Sequence, residues 1–317
     1  PEMRSEAAAV LKLRGITAAT EDMKVTKFDA QESSKPCMVN ADADSLGRGV
    51  SIAVLDTGTH PHYDLIKPYN RLLVFKDFVN SRTVPYDDDG HGTHVSGIAA
   101  GNGFSGAPKG IAPEASIVSL KVLDSDGSGN VSGILAAMQW ICDNHRKYNI
   151  RVVNLSLGMT YDDSVRIDPL HLGVGALYKS GITVVAAGGN SGPAAKTISS
   201  PGNSPYVITA GCCGTSGVSE FSSRGPAGTY MKPDLVAYGE DICSLAPGKT
   251  ATATQSGTSM SAPVVSGAAA CLYSAYPQLT AYQVKRILMS ATIPFEQEDR
   301  NSQGYGRLDA DMLKELI

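Results

Sequence analysis

The 317-residue sequence predicts an α/β fold with a mainly parallel central sheet and helices on both faces, on three observations. Short β-branched runs alternate with segments whose apolar residues recur at helical spacing, the pattern of strands joined through covering helices. A segment at 260–276 is apolar on nearly every side, as a helix enclosed by the core has to be. The 33 glycines provide for many tight turns and close backbone contacts.

Residues 1–43 are polar and read as a leader or propeptide remnant with one helical pattern, "SEAAAVLKLRG". A single domain then spans 44–317. It opens on two strands, "GVSIAVLD" and "RLLVFKDF", followed by the helical "HGTHVSGIAA" and the strand "ASIVSLKVL". Next come the helix "NVSGILAAMQWICDNH", the strand "IRVVNLSLG", the helix "LHLGVGALYKS" and the strands "GITVVAAGG" and "PYVITAG". After the enclosed helix, "TAYQVKRILMSAT" starts with Thr280 as N-cap, and "DADMLKELI" makes a short last helix. There is no internal repeat and no low-complexity linker.

Composition excludes several function classes. A net charge of -4 without a Lys/Arg cluster argues against nucleic acid as a partner. No apolar run approaches the roughly 18 residues of a membrane span, and no basic-then-apolar export signal stands at the N-terminus. The chain starts at Pro1, as a processed or trimmed product would. Six cysteines, Cys37, Cys142, Cys212, Cys213, Cys243 and Cys271, have neither Cys-x-x-Cys nor zinc-like spacing. They read as reduced, buried small hydrophobes, which leans toward a cytoplasmic compartment. Secretion with loss of signal and propeptide is the alternative. A monomer is expected.

Two motifs are decoys. Asp56-Thr57-Gly58 has the letters of an aspartic protease, but a single-chain enzyme of that kind needs two such motifs so that two carboxylates share one proton. The sequence contains one, and the dimerising retroviral type is smaller and all-β. "GNGFSG" at 101–106 matches Gly-x-Gly-x-x-Gly but follows a helix and precedes a strand, the reverse of a phosphate cradle; it reads as a flexible loop.

More informative is that Asp56 ends a strand, His91 opens one helix and Ser259 stands at the start of another. In a parallel sheet all three can meet at the carboxyl edge as an acid, a base and a nucleophile. Each also has an ordinary structural reading: a capping Asp, a structural His between glycines, an N-cap Ser. His94 has metal-pair spacing from His91 but no Glu between them, and reads as a buried structural histidine.

The surrounding blocks "VLDTG", "GHGTHVSG" and "GTSMSAP" resemble the three signatures of the subtilases, the subtilisin-like serine proteases, in the order Asp, His, Ser. The resemblance continues through "KVLDSDGSG", "NLSLG", "AAGGNSG", "SPG", "FSSRGP" and "KPDLVAYG", and covers about 49–309. It implies the three-layer subtilisin-like fold and a serine endopeptidase acting on polypeptides through an acyl-enzyme. Ser259 is then the nucleophile, His91 the base and Asp56 its orienting partner. Asn190 would serve the oxyanion beside the Ser259 N–H, with Thr258 in support.

By the same resemblance, Leu123, Gly127, Ser128 and Gly129 on one side and Ser156, Leu157 and Gly158 on the other flank the substrate as strands. Ser156, Leu157, Gly158, Ala187, Gly188 and Gly189 line the pocket for the P1 residue, the one before the scissile bond. None is charged, so an apolar or aromatic P1 side chain is expected. The resemblance also implies a cis Ser200–Pro201 bond.

No cofactor is expected to be required; calcium is kept as an alternative, although the family's usual calcium sites look incomplete. "AAGNGFSGAPKG" lacks the Asn-rich insertion, and "CCGTSG" supplies no carboxylate. The acidic run Asp87, Asp88, Asp89 could serve calcium elsewhere, but a solvated loop is the preferred reading. The leader is short for a propeptide and lacks a clear βαβ pattern, so it is either a remnant, acting as the chain's own inhibitor, or an extension. The alternative to an enzyme is a catalytically silent sensor or scaffold of the same fold.

Overall fold

The structure, a computed structural model, describes residues 22–28, 46–160 and 168–315. Its strands, in chain order, are β1 (Lys24–Lys27), β2 (Ser51–Asp56), β3 (Leu72–Asp77), β4 (Ser116–Lys121), β5 (Ser128–Asn130), β6 (Ile150–Leu155), β7 (Leu157–Gly158), β8 (Thr183–Ala187), β9 (Ile208–Cys213), β10 (Leu235–Tyr238), β11 (Ile242–Leu245), β12 (Thr252–Gln255), β13 (Thr292–Ile293) and β14 (Arg307–Leu308). The helices are α1 (Tyr63–Ile66), α2 (His91–Ala100), α3 (Val131–Tyr148), α4 (Pro169–Lys179), α5 (Thr258–Ala275), α6 (Ala281–Ser290), α7 (Arg300–Gln303) and α8 (Ala310–Glu315).

Nine strands form the main sheet in the order β13-β14-β10-β9-β8-β6-β2-β4-β3. Every pairing is parallel except β13 with β14 at one edge. All six residues of β2 are buried, and strand alternation sends them to opposite faces. Ile52 and Val54 join a cluster containing Val95 and Ile98 of α2 and Val265 and Leu272 of α5. Ala53 and Leu55 join another with Ile134 and Met138 of α3 and Val174 and Leu177 of α4. The result is the expected three layers, with α5 enclosed along nearly its whole length.

All six expected strands lie in the main sheet. The three strands at one end of the sheet, β10, β14 and β13, were not foreseen; two of them have only two residues, too few to show a period. α5 begins at Thr258 behind an N-cap Gly257, so Ser259 lies inside the first turn and is not itself the cap. Thr280 does cap α6, in a reciprocal capping box with Gln283. Residues 101–106 are irregular, as expected. The leader helix and Cys37 lie outside the described residues; the other five cysteines are free thiols. Cys212 and Cys213 are buried with Cys271, while Cys142 and Cys243 are half-buried.

Just before β10, buried Lys232 donates to Thr209 Oγ1 at 2.6 Å and to Asp234 Oδ2 at 2.7 Å, and Lys285 of α6 reaches Asp234 Oδ1 at 2.8 Å. This cluster fastens α6 and β10 to β9. β1 lies outside the main sheet, in a three-stranded antiparallel sheet of order β5-β1-β7.

Candidate active site

Asp56 is the last residue of β2, at the carboxyl edge where open parallel sheets place their sites. It is fully buried. Its Oδ1 accepts from Thr57 N–H at 2.7 Å and lies 2.7 Å from His91 Nδ1. That bond assigns the ring proton to Nδ1 and makes Nε2 the basic nitrogen of a neutral imidazole. Burial pushes the Asp56 carboxyl above its ordinary pKa, opposed by the His91 ring and the Thr57 N–H.

The pairing requires α2 to begin against the turn after β2, and Gly92 permits it, since a Cβ there would collide with Gly58 O. Thr57 Oγ1 accepts from Gly92 N–H at 2.9 Å and donates to Asp87 Oδ1 at 2.8 Å. Asp87 in turn accepts from Gly90 N–H and Thr93 N–H, both at 2.8 Å. A carboxylate thus serves the N-terminus of α2, where the helix dipole favours negative charge. Lys121, fully buried beside Asp56 in the β2–β4 register, donates to Thr57 O, to Asp88 Oδ1 at 2.6 Å and to Leu123 O at 2.8 Å.

Ser259 occupies the first turn of α5, and the position of Pro263 decides what holds it. Proline has no N–H, so Ser259 O lacks the donor that residue 263 would otherwise give it in a helix. Ser156 Oγ supplies one at 2.9 Å. In return Ser259 Oγ donates to Ser156 O at 3.0 Å. Ser156 is itself held by Asn154 Nδ2 at 2.9 Å, and Asn154 Oδ1 accepts from Ser266 Oγ at 2.8 Å. The nucleophile candidate is therefore fixed to β6 and to its own helix through buried hydroxyl and amide groups.

Asn190 follows β8. Its Oδ1 accepts from Thr258 N–H at 3.1 Å and from Thr258 Oγ1 at 2.9 Å. This leaves the amide nitrogen Nδ2 buried and without a hydrogen-bond partner among the described residues. Ala187 ends β8, Gly188 N–H donates to Ala210 O at 2.9 Å, and Gly189 N–H reaches Thr258 Oγ1 at 3.2 Å.

The flanking segments enclose part of the leader. Val25 stands opposite Gly129, Thr26 opposite both Ser128 and Gly158, and Lys27 opposite Leu157. Lys27 N–H donates to Gly127 O at 3.0 Å, and Phe28 N–H donates to Ser259 Oγ at 3.1 Å. Val25 packs into the cluster that includes Leu123 and Leu157. The Phe28 ring lies on Gly158, where a Cβ would stand 2.7 Å from Phe28 Cζ. Met159 bridges to Ser200, whose bond to Pro201 is cis, as expected.

The acidic run is not a solvated loop. Asp87 is buried in the α2 cap, Asp88 holds Lys121, and Asp89 holds Lys27 with Nζ 2.8 Å from both of its oxygens. His94 is buried, its Nε2 3.0 Å from Ile242 O. Among the described residues no three His, Cys, Asp or Glu side chains converge as a metal would need, and no helix is long and apolar enough to cross a membrane. The sequence reading missed Lys121, Asn154, Ser266 and the leader strand. Only Pro263, four residues after Ser259, was a legible signal for the serine network.

Residues 47–306 match the sequence profile of the Subtilase family. Serine protease AprX of Bacillus subtilis (strain 168) is 39% identical over 297 residues, which are 84% of this chain and 66% of that protein. The chain thus spans just under two thirds of that relative's length. Subtilisin DY of Bacillus licheniformis is 36% identical over 248 residues, 77% of this chain and 84% of that protein. The solved structure of Sphericase aligns with a TM-score of 0.72 and 28% identity, covering 86% of this chain and 99% of that one. With the profile, the relatives and the mainly parallel three-layer fold in agreement, the chain belongs to the subtilase family.

Proposed function

We propose that the protein is a serine endopeptidase whose nucleophile is Ser259, with a peptidase unit at 44–317 and residues 1–43 as leader. Ser259 Oγ attacks the peptide carbonyl and gives its proton to His91 Nε2, which returns it to the leaving amine. Asp56 keeps the imidazole in the Nδ1–H tautomer and offsets the charge it acquires. Water then hydrolyses the acyl-enzyme by the same proton path. The observation that carries this reading is the Asn190 amide: Thr258 fixes its oxygen, and its buried nitrogen keeps an unused donor for an oxyanion. The Ser259 N–H adds a second donor, since first-turn N–H groups have no partner within their helix.

The same reading makes residues 24–28 a substrate-like inhibitor, with Phe28 as P1 and Phe28–Asp29 as the bond presented for cleavage. An aromatic P1 residue suits a pocket whose wall at Gly158 has no side chain. A fluorophosphonate probe tests the nucleophile: mass spectrometry is expected to find it on Ser259, and an unlabelled protein would indicate a silent scaffold. Incubation of the full chain is expected to give a new N-terminus at Asp29, whereas Ser259→Ala stays intact.

A further inference from the structure

We propose that Lys121 is a positioning residue for the hydrolytic reaction: its ammonium sets the turn that carries Asp56 against the segment that leads into His91. The assignment rests on the endopeptidase reading, in which the Asp56–His91 bond orients the base. β2 and β4 end together, with Asp56 and Lys121 paired as their last residues. Asp56 O still accepts from Val122 N–H at 2.9 Å, and the chain then turns out of the sheet. The next carbonyl, Thr57 O, is met by Lys121 Nζ at 2.6 Å. Thr57 is the residue whose N–H holds Asp56 Oδ1 and whose hydroxyl accepts from Gly92 N–H of α2. A shift of this turn therefore moves the carboxylate relative to the imidazole.

The same ammonium reaches Asp88 Oδ1 at 2.6 Å, three residues before His91, and Leu123 O at 2.8 Å. Leu123 belongs to the wall of the cleft, in one apolar cluster with Val25 of the leader strand. The three N–H groups of Lys121 thus have three acceptors, one each from the acid's turn, the approach to the base and the cleft wall. The Tyr86 ring lies 5.1 Å away on the same approach. With its side chain fully buried and its donors all engaged, Lys121 acts through these neighbours and does not touch the reacting atoms. Stability alone does not account for such a group, because desolvation opposes the attraction of a buried ion pair and a well-packed apolar pair often serves as well. What an apolar side chain lacks is three directed donors that hold three segments at one spacing.

The test follows hydrolysis of Val-Thr-Lys-Phe-Asp-Ala by the full-length protein, together with the proton resonance of the His91 Nδ1–H group, assigned by its absence from His91→Ala. Lys121→Met is expected to lower kcat about tenfold to a hundredfold with KM little changed, and to move that resonance upfield as the bond to Asp56 loosens. In a His91→Ala background the same substitution should leave the residual rate unchanged, because no base remains to be positioned. A merely structural role would lower the residual rate by the same factor as in wild type. That result overturns the proposal, and so does an unmoved resonance. Asp88→Asn carries the same test where Lys121→Met does not fold: it keeps the bonds of the ammonium to Thr57 O and Leu123 O, and should give a smaller fall in kcat that also vanishes without His91. A chain with no turnover and no fluorophosphonate labelling, whose resonance nonetheless moves in Lys121→Met, would sustain Lys121 as a positioning residue and reject the endopeptidase reading alone.

Discussion

Asn190 is a donor held ready, and its loss should act on the transition state more than on substrate binding. Asn190→Leu is expected to lower kcat by roughly 10² to 10³ with little change in KM, measured by steady-state peptide hydrolysis; the magnitude is that of a single oxyanion donor lost in a subtilisin, not one derived from these distances. An unchanged kcat with a large rise in KM would place the amide in ground-state binding instead. Ser156→Ala should remove the donor that Ser259 O receives in place of residue 263. A buried acceptor left unpaired costs about 1 to 3 kcal/mol, read as a lowered denaturant midpoint. The placement of Asp56 at a strand end beside His91, and of Asn190 beside the helix start that carries Ser259, was legible because strand ends and helix starts fall at one sheet edge and the flanking blocks are distinctive; the catalytic roles belong to the proposal. Asn154 and Ser266 were not, because a buried polar residue in an apolar strand or helix names no partner until the fold supplies it.

At the scale of elements, the paired leader strand invites a direct test. Val25 is almost fully buried, so Val25→Asp would bury an unpaired carboxylate and should expel the strand. The initial rate on an added peptide is expected to rise about tenfold or more over wild type; an unchanged rate would show that the strand does not obstruct the cleft. For α6, Thr280→Ala removes one half of the capping box and should cost about 1 kcal/mol in chemical denaturation. The main strands and helices were legible because their apolar runs are long. β1 was not, because "KVTK" has one apolar residue and gains its partners from the cleft, whose walls lie some hundred residues further along the chain.

For the whole molecule, the Lys232–Asp234–Lys285 cluster couples stability to pH. Burial pushes the Lys232 ammonium down from 10.5 to about 8, against the attraction of Asp234. Between those values the unfolded chain holds a proton that the native state has released, so on this account native stability rises with pH across that window. Lys232→Met abolishes the coupling. The variant's stability relative to wild type is expected to decline from pH 8 to pH 10 by at most about 3 kcal/mol, measured by urea unfolding at each pH; a difference independent of pH would refute the assignment. Asp234→Asn, which leaves two cations facing a neutral amide, should cost about 3 to 5 kcal/mol. The insertion of residues 24–28 between β5 and β7 has a further consequence. While the chain is continuous, occupancy of the cleft is intramolecular and does not depend on how much protein is present. Once Phe28–Asp29 is cut, the same residues become a separate ligand governed by mass action. On the proposed function, dilution after cleavage should then release activity that dilution beforehand cannot, the behaviour of a latch whose first opening is a covalent event and whose later openings are reversible.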